Sequence, residues 1–188
     1  MSDHDHIERI RRGDREAFAF LVNRYKAPAY SIALKILKNP GNAEEVVQEA
    51  FVRAFHSIKQ FREECKFSTW LYRIVYNTSI SQIRKNRTSA VSLEDVEENN
   101  PDFIELNDAL KQVSTKEVSG IIQKALDGLN ETDFTILTLY YYEDKSLKEI
   151  ARVLGIKYSN AKVKIQRARA KLHDVLKEIM KTEIYDLI

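Results

Sequence analysis

The segment 146–172, SLKEIARVLGIKYSNAKVKIQRARAKL, predicts two consecutive helices separated by a tight turn. Ser146 and Glu149 have the spacing of a capping box, which marks the start of a helix. The apolar residues that follow recur at helical spacing and predict a buried stripe: Leu147, Ile150, Ala151 and Leu154. Gly155 stands where a helix commonly ends in a left-handed residue. A short turn and a helix from about Ser159 complete the pattern of a helix-turn-helix.

The second helix of this segment is strongly basic. Lys162, Gln166 and Arg169 fall on one face, with Arg167 beside them, and Lys164 and Lys171 are further basic residues of the helix. Side chains of these types can read base edges in a major groove and contact phosphates. This leaves Val163, Ala170 and Ile165 to face the core. The pattern favours DNA binding over the alternative, a solvated basic helix that closes a bundle. The turn 157–160 departs from the commonest helix-turn-helix sequence, because its first residue is not small.

The composition of the whole chain favours an all-α protein. A length of 188 residues suits one domain or two small ones. Only 5 glycines and 3 prolines argue for helices with short links rather than a many-stranded sheet. The single cysteine, Cys65, excludes an intramolecular disulfide and fits a reducing cytosol. The chain has no signal peptide and no apolar run of about 18 residues, so we expect a cytoplasmic protein without membrane insertion.

The first half of the chain also reads as helices. The segment 13–37 is apolar at helical spacing and is interrupted by KNPGN, in which Asn42 is predicted to cap the next helix with Glu45 three residues later. That helix is amphipathic, with Val47, Ala50, Phe51, Ala54, Phe55 and Ile58 in one stripe. Its other face carries Glu45, Gln48, Glu49 and Arg53. The first residues, including His4 and His6, are expected to fray rather than to bind a metal.

The helix predicted from Phe67 to about Lys85 begins with FSTWLYRIVYN and combines aromatic rings with polar donors. Ser68 or Thr69 is its predicted cap, and the core-facing positions are Leu71, Ile74, Val75 and Thr78. A second face carries Trp70, Arg73, Asn77 and Arg84. Rings, cations and an amide suit single-stranded DNA, because bases stack on rings and cations hold the backbone. The alternative is a core helix with incidental surface arginines.

A change in composition separates the two halves. Residues 88–110 contain no lysine or arginine and seven acidic residues. We therefore expect domains at 1–90 and 119–188, joined by an acidic linker at 91–118. The linker is either a solvated acidic loop or a segment that repels or mimics nucleic acid phosphate. Beyond it, residues 121–126 and 131–142 predict two more helical segments on either side of Gly128.

Four segments together resemble the bacterial extracytoplasmic-function (ECF) sigma factors along nearly the whole chain. They are GDREAF, AEEVVQEAFVRAF, FSTWLYRIVYNTSISQIRK and SLKEIARVLGI with AKVKIQRARAKL, in the family's order and spacing. The resemblance implies two helical domains, sigma domain 2 and sigma domain 4. It also implies binding to core RNA polymerase, recognition of the −10 and −35 promoter elements and initiation of transcription, without catalysis or a cofactor. The implied partners are the beta-prime clamp helices and beta flap of the polymerase, promoter DNA and an anti-sigma factor.

The resemblance also implies roles for particular residues. The first surface, the contact with core polymerase, falls on Glu45, Gln48, Glu49 and Arg53. The second, contact with −10 DNA, falls on a loop 61–67 that holds a flipped base and on the helix after it, through Phe61, Phe67, Trp70, Arg73, Asn77 and Arg84. The third, contact with −35 DNA, falls on Lys162, Lys164, Gln166, Arg167 and Arg169. Charged residues at 63–66 leave the −10 base preference open.

Two other classes of protein are alternatives. A helix-turn-helix regulator with an N-terminal sensing domain explains the second half, but neither the polar face 45–53 nor the face that carries Trp70 and Asn77. An enzyme could use Cys65 as nucleophile and His56 as base. These two residues have no evident orienting partner, and the chain has no glycine-rich phosphate loop.

Overall fold

The computed structural model describes the backbone of residues 2–89 and 116–185, and the side chains of 2–85, 120–122 and 124–179. Within these ranges all regular structure is helical, which confirms the predicted all-α fold. Backbone contacts divide the chain into two units, Met1–Phe103 and Ile104–Ile188. Most of the predicted acidic linker lies outside the described residues, although its last residues already begin a helix at Lys116. The exact domain boundaries stay a prediction.

The first unit contains four α-helices. They are α1 (Asp3–Arg11), α2 (Ala17–Leu37), α3 (Pro40–Ser57) and α4 (Phe67–Ser89), with a short 3-10 turn (Ile58–Gln60) after α3. Helices α2, α3 and α4 pack against one another, and α1 packs on α2 and the 3-10 turn. The centre of the core consists of fully buried side chains from α2, α3 and α4, among them Leu21, Ile32, Val46, Leu71 and Tyr72. Each such side chain contributes about 1.5–3 kcal/mol relative to an exposed one.

Two of the predicted helix caps are wrong. The residue that caps α3 is Asn39, whose side-chain oxygen accepts a hydrogen bond from the Asn42 amide at 2.9 Å. Pro40 occupies the first helical position, where its missing N–H costs nothing, so Asn42 lies inside the first turn. Helix α4 begins at Phe67, which places Ser68 and Thr69 inside its first turn, and it extends to Ser89 rather than Lys85.

The expectation of a frayed N-terminus is also wrong. Ser2 and Asp5 form a capping box for α1, a signal that the sequence carries at its very start. The Tyr25 hydroxyl donates a hydrogen bond to Asp3, and the His6 ring stacks on Phe20 at 4.0 Å. Burial, followed by the bond to Asp3, raises the pKa of the Tyr25 phenol. Apolar burial of Ile7 and Ile10 completes the attachment of α1.

The second unit contains α5 (Lys116–Asp127), α6 (Glu131–Leu137), α7 (Leu147–Leu154) and α8 (Tyr158–Tyr185), with a π-helical turn (Thr138–Tyr142) after α6. Asn130 caps α6 by accepting a hydrogen bond from the Asp133 amide. Helix α8 contacts α5, α6 and α7, so it organises this unit. Its core is aliphatic and aromatic, with fully buried Phe134, Ile136, Leu137, Leu139 and Ile150.

Candidate nucleic-acid interface

The polar face of α3 is exposed as the sequence predicts. Glu45, Gln48, Glu49 and Arg53 are all exposed, while the predicted stripe is buried except for the half-buried Phe55. Glu49 and Arg53 form an ion pair one helical turn apart. Val52, which sequence reasoning did not single out, lies on the same side and is 54% exposed. Because Val52 lies off the predicted apolar stripe, its position in the sequence was the signal for this exposed apolar side chain.

The aromatic rings Trp70, Tyr72 and Tyr76 of α4 have different surroundings. Tyr72 is fully buried in the core and contacts Tyr25 edge to face, whereas Tyr76 is half-buried. Trp70 is half-buried and stacks on Phe61, with ring centroids 4.8 Å apart. Only Trp70 therefore lies on the predicted DNA-facing side, while Tyr72 accounts for the apolar character of the helix.

The remaining predicted −10 residues separate into two groups. Arg73, Asn77 and Arg84 are exposed. Phe61 and Phe67 are 6% and 2% exposed, and both contact the Trp70 ring. Because so little of these two rings is open to a base, they support Trp70 from the protein side.

A groove of about 480 Å³ runs between α3 and α4. It is lined by Arg53, Ser57 and Gln60 from the end of α3 and the 3-10 turn, and by Trp70, Ile74, Asn77 and Thr78 from α4. The groove thus offers an aromatic surface, a cation and two amide side chains within one concave site. Such a site can stack a base and bond its edge.

The loop 61–66 is held by contacts with α1. Arg11 donates one hydrogen bond to Glu63 Oε1 at 2.7 Å and another to the Phe61 carbonyl. His4 Nδ1 lies 2.7 Å from Glu63 Oε2. The hydrogen bond with His4, followed by that with Arg11, lowers the pKa of the Glu63 carboxyl, and the same contact with Glu63 raises the pKa of His4.

The helix-turn-helix is present in the second unit. Ser146 and Glu149 form the predicted capping box, and Gly155 has a φ of 66° in the left-handed region. Ile150, Ala151 and Leu154 are buried as predicted, Leu147 is half-buried, and Val153 is an additional core residue. The second helix begins at Tyr158, one residue before the predicted start. The predicted turn 157–160 is therefore too long, since residues 158–160 belong to the first turn of α8.

The side of α8 that faces the core differs from the prediction. Val163 is 49% exposed and Ala170 is exposed, whereas Ala161, Ile165 and Ala168 are buried. Of the three residues predicted to face the core, only Ile165 is buried, and it is joined there by two alanines that were not predicted. The buried residues Ala161, Ile165 and Ala168 follow the i, i+4, i+7 pattern, which is the sequence signal for this face.

The predicted −35 residues of α8 are not equivalent. Lys162, Gln166 and Arg167 are exposed, and Lys164 is half-buried. The Arg169 guanidinium lies over the Tyr140 ring, 4.9 Å from its centroid, and over Tyr141 at 5.5 Å. A groove of about 370 Å³ follows this side of the unit, lined among others by Tyr140, Leu147, Gln166 and Arg167. Through Arg169, the basic helix α8 therefore contacts Tyr140 and Tyr141.

Other kinds of site are not evident in the part of the chain that the structure describes. No group of three or more histidine, cysteine or acidic side chains is arranged to hold a metal ion there. Cys65 is half-buried and forms no disulfide. No helix within the described ranges is long and apolar enough to cross a membrane.

Comparisons with known proteins agree with this arrangement. Residues 21–89 match sigma-70 region 2 and residues 119–172 match sigma-70 region 4. The ECF RNA polymerase sigma factor SigW of Bacillus subtilis is 34% identical over 182 residues, which cover 92% of this chain and 96% of that protein. The RNA polymerase sigma-H factor of Pseudomonas aeruginosa is 30% identical, over 95% of this chain and 96% of that one.

A solved structure shows the same fold. It is the sigma factor RpoE in complex with the anti-sigma factor NepR from Bartonella quintana. The TM-score is 0.64 at 22% identity, with 85% of this chain and 96% of that chain covered.

Two helical units that match regions 2 and 4 are typical of sigma-70-type transcription initiation factors. The chain belongs to the ECF sigma factors. It binds core RNA polymerase and recognises the −10 and −35 promoter elements to initiate DNA-templated transcription. The family is one of non-enzymatic initiation factors.

Proposed function

We propose that the first unit performs polymerase binding and −10 recognition on two adjoining surfaces. The observation that carries this assignment is the groove between α3 and α4, where Arg53 of the predicted polymerase-binding face and Trp70 and Asn77 of the predicted −10 face line one concavity. Glu45, Gln48 and Glu49 extend the polymerase surface along α3, and Arg73 and Arg84 extend the DNA surface along α4. Phe61 and Phe67 act as the support of Trp70.

The arrangement explains how a sigma factor opens DNA without hydrolysing a nucleotide. Extruding a base from the duplex costs a few kcal/mol. A base stacked on an aromatic side chain recovers about 1–3 kcal/mol, so Trp70 offsets part of that cost. Asn77 is placed in the same groove to bond the edge of the base, and polymerase contacts contribute the rest. We therefore infer that the chain acts by binding and not by catalysis, and that it does so in the cytoplasm.

The second unit supplies −35 recognition through α8. Lys162, Gln166 and Arg167 are exposed and can enter a major groove, and the half-buried Lys164 adds positive charge to the same helix. Arg169 stays against Tyr140 and acts mainly by stabilising the edge of this surface. We propose an anti-sigma factor as a further partner, as in the complex of the structural relative. Binding of the polymerase beta flap to this unit stays a prediction from the family.

In vitro transcription from a pooled promoter library, with core RNA polymerase and with or without the full chain, tests these assignments. We expect specific starts only with the chain. Asn77→Ala should lower the use of those starts, and the double change Gln48→Ala with Glu49→Ala should weaken binding to core polymerase by about fivefold or more. Lys26→Ala, an exposed change on α2, is the control. Equal behaviour of Asn77→Ala and Lys26→Ala would show that the −10 assignment of α4 is wrong.

A further inference from the structure

The loop 61–66 connects the 3-10 turn to α4 and borders the groove of the proposed −10 site. Its residue Glu63 has a φ of 55°. A residue with a Cβ atom occupies this left-handed region at a cost of about 1–2 kcal/mol. Such a conformation persists only where surrounding contacts stabilise it.

The surrounding contacts come from α1. His4 and Arg11 lie two helical turns apart on one face of this helix, and each holds a different oxygen of the Glu63 carboxylate at 2.7 Å. Arg11 also donates a hydrogen bond to Glu8 at 2.7 Å, which orients the guanidinium. The set of Glu63, His4, Arg11 and Glu8 is called the α1 clamp below.

The α1 clamp is connected to the DNA-facing surface by one more contact. Arg11 donates a third hydrogen bond to the carbonyl of Phe61, and the Phe61 ring stacks on Trp70 with ring centroids 4.8 Å apart. A shift of the loop backbone would therefore move the ring that supports Trp70. Helix α1 is itself secured to α2, since Asp3 receives hydrogen bonds from Tyr25 and from Arg24.

We propose that α1 is a positioning element for −10 selection: the α1 clamp fixes the loop 61–66 and, through Phe61, the placement of Trp70. This role rests on the proposed function of the α3–α4 groove. Glu63, Arg11 and His4 are positioning residues that act through the loop and need not touch DNA. The α1 segment precedes the part of the chain that matches sigma-70 region 2, which begins at residue 21.

The first measurement is base discrimination by the full chain with core RNA polymerase on two promoter pools. The −10 pool has a randomised −10 element and a constant −35 element, and the −35 pool has a randomised −35 element and a constant −10 element. Glu63→Ala and Arg11→Ala should each lower the preference for the best −10 base by about fivefold, the upper range for an exposed ion pair. The double variant should lose no more than either single variant, because the two residues act as one unit. Preference within the −35 pool should not change. Arg12→Ala removes an exposed charge from the end of the same helix outside the clamp and is the control.

A comparison of Glu63→Gly with Glu63→Ala separates the effect of the carboxylate contacts from the effect of the backbone conformation at residue 63. Glu63→Gly relieves the strain at positive φ but removes the carboxylate, so it should lose −10 discrimination like Glu63→Ala. Restoration of discrimination by glycine would show that the backbone conformation matters and the clamp does not, which overturns the proposal. A parallel loss of −35 preference in Glu63→Ala would also overturn it, because a general loss of stability would then explain both.

The second measurement is hydrogen exchange of the loop amides in the free full chain. Exchange should accelerate in Glu63→Ala and Arg11→Ala and stay unchanged in Arg12→Ala. Unchanged exchange in the first two variants overturns the positioning role whatever the transcription result. If the unaltered chain directed no starts, the proposed function of the groove would fail and this proposal with it, while accelerated exchange would still show that the clamp exists.

Discussion

Replacing Gly155 by alanine tests the geometry of the helix-turn-helix. Gly155 has a φ of 66°, and an added Cβ atom would meet nothing within 4 Å. The Ile156 amide donates to the Ala151 carbonyl at 3.0 Å across this turn. With no steric contact, the cost of Gly155→Ala is the backbone cost of a left-handed alanine, about 1–2 kcal/mol. About 0.4–1 kcal/mol of this is offset by the lower entropy of the unfolded chain, so we expect a net loss of about 1 kcal/mol.

Gly120 supplies a matched control in the same unit. It lies inside α5, is exposed, and an added Cβ atom would also meet nothing within 4 Å. Gly120→Ala should therefore stabilise the unit by about 0.5–1 kcal/mol, the usual gain for glycine to alanine within a helix. Gly155→Asn should cost less than Gly155→Ala, because asparagine tolerates the left-handed region.

Urea unfolding of the full chain, followed by far-UV circular dichroism, measures these differences, and hydrogen exchange assigns them to the second unit. In free energy of unfolding, Gly120→Ala should be the most stable of the three variants, Gly155→Asn the next and Gly155→Ala the least stable. A Gly155→Ala protein as stable as the unaltered chain would refute the left-handed end of α7. A loss above about 3 kcal/mol would refute the reasoning as well, because no neighbouring atom is available to produce a clash of that size.

Three further predictions concern the rest of the chain. Asn39→Ala should cost about 1 kcal/mol of the stability of the first unit in urea unfolding, while Asn42→Ala should cost clearly less; the reverse order would contradict Asn39 as the cap. The α1 clamp should stabilise most between pH 4.5 and 6.5, the ordinary pKa values of Glu and His. His4, whose pKa is raised, contributes fully below its unfolded pKa and loses its contribution as pH rises through the folded value. Glu63, whose pKa is lowered, contributes above its unfolded pKa and loses its contribution as pH falls through the folded value. Because His4 contributes only while it is protonated, the melting temperatures of His4→Gln and of the unaltered chain should converge at high pH. A difference in melting temperature that stays constant with pH would contradict the pairing of His4 with Glu63. Lys162→Ala should weaken −35 duplex binding uniformly across sequences and reduce the salt slope by about 1, whereas a change in base preference would show that Lys162 reads bases.

Local chemistry in the sequence determined much of this protein. The capping box at Ser146, the glycine at 155 and the apolar periodicity of α3 depend on neighbours within a few residues, so the helix-turn-helix and the exposed face of α3 were predictable. The order of the four family segments likewise identified the family, since it needs only residue identity and spacing. The exposure of Asn77 and Arg73 followed from helical projection alone.

Tertiary structure decided what depends on partners distant along the chain. Helical projection assigned Tyr72 to neither face of α4, and only the fold shows that its ring is fully buried against Tyr25 in the core. Val163 is more apolar than Ala161, yet the alanine is fully buried and the valine is 49% exposed, because burial depends on which side of α8 meets the other helices. The α1 clamp joins residues 4 and 11 to residue 63, a separation over which no local pattern in the sequence signals contact. Packing selects such contacts because it buries surface between helices that the sequence specifies one at a time.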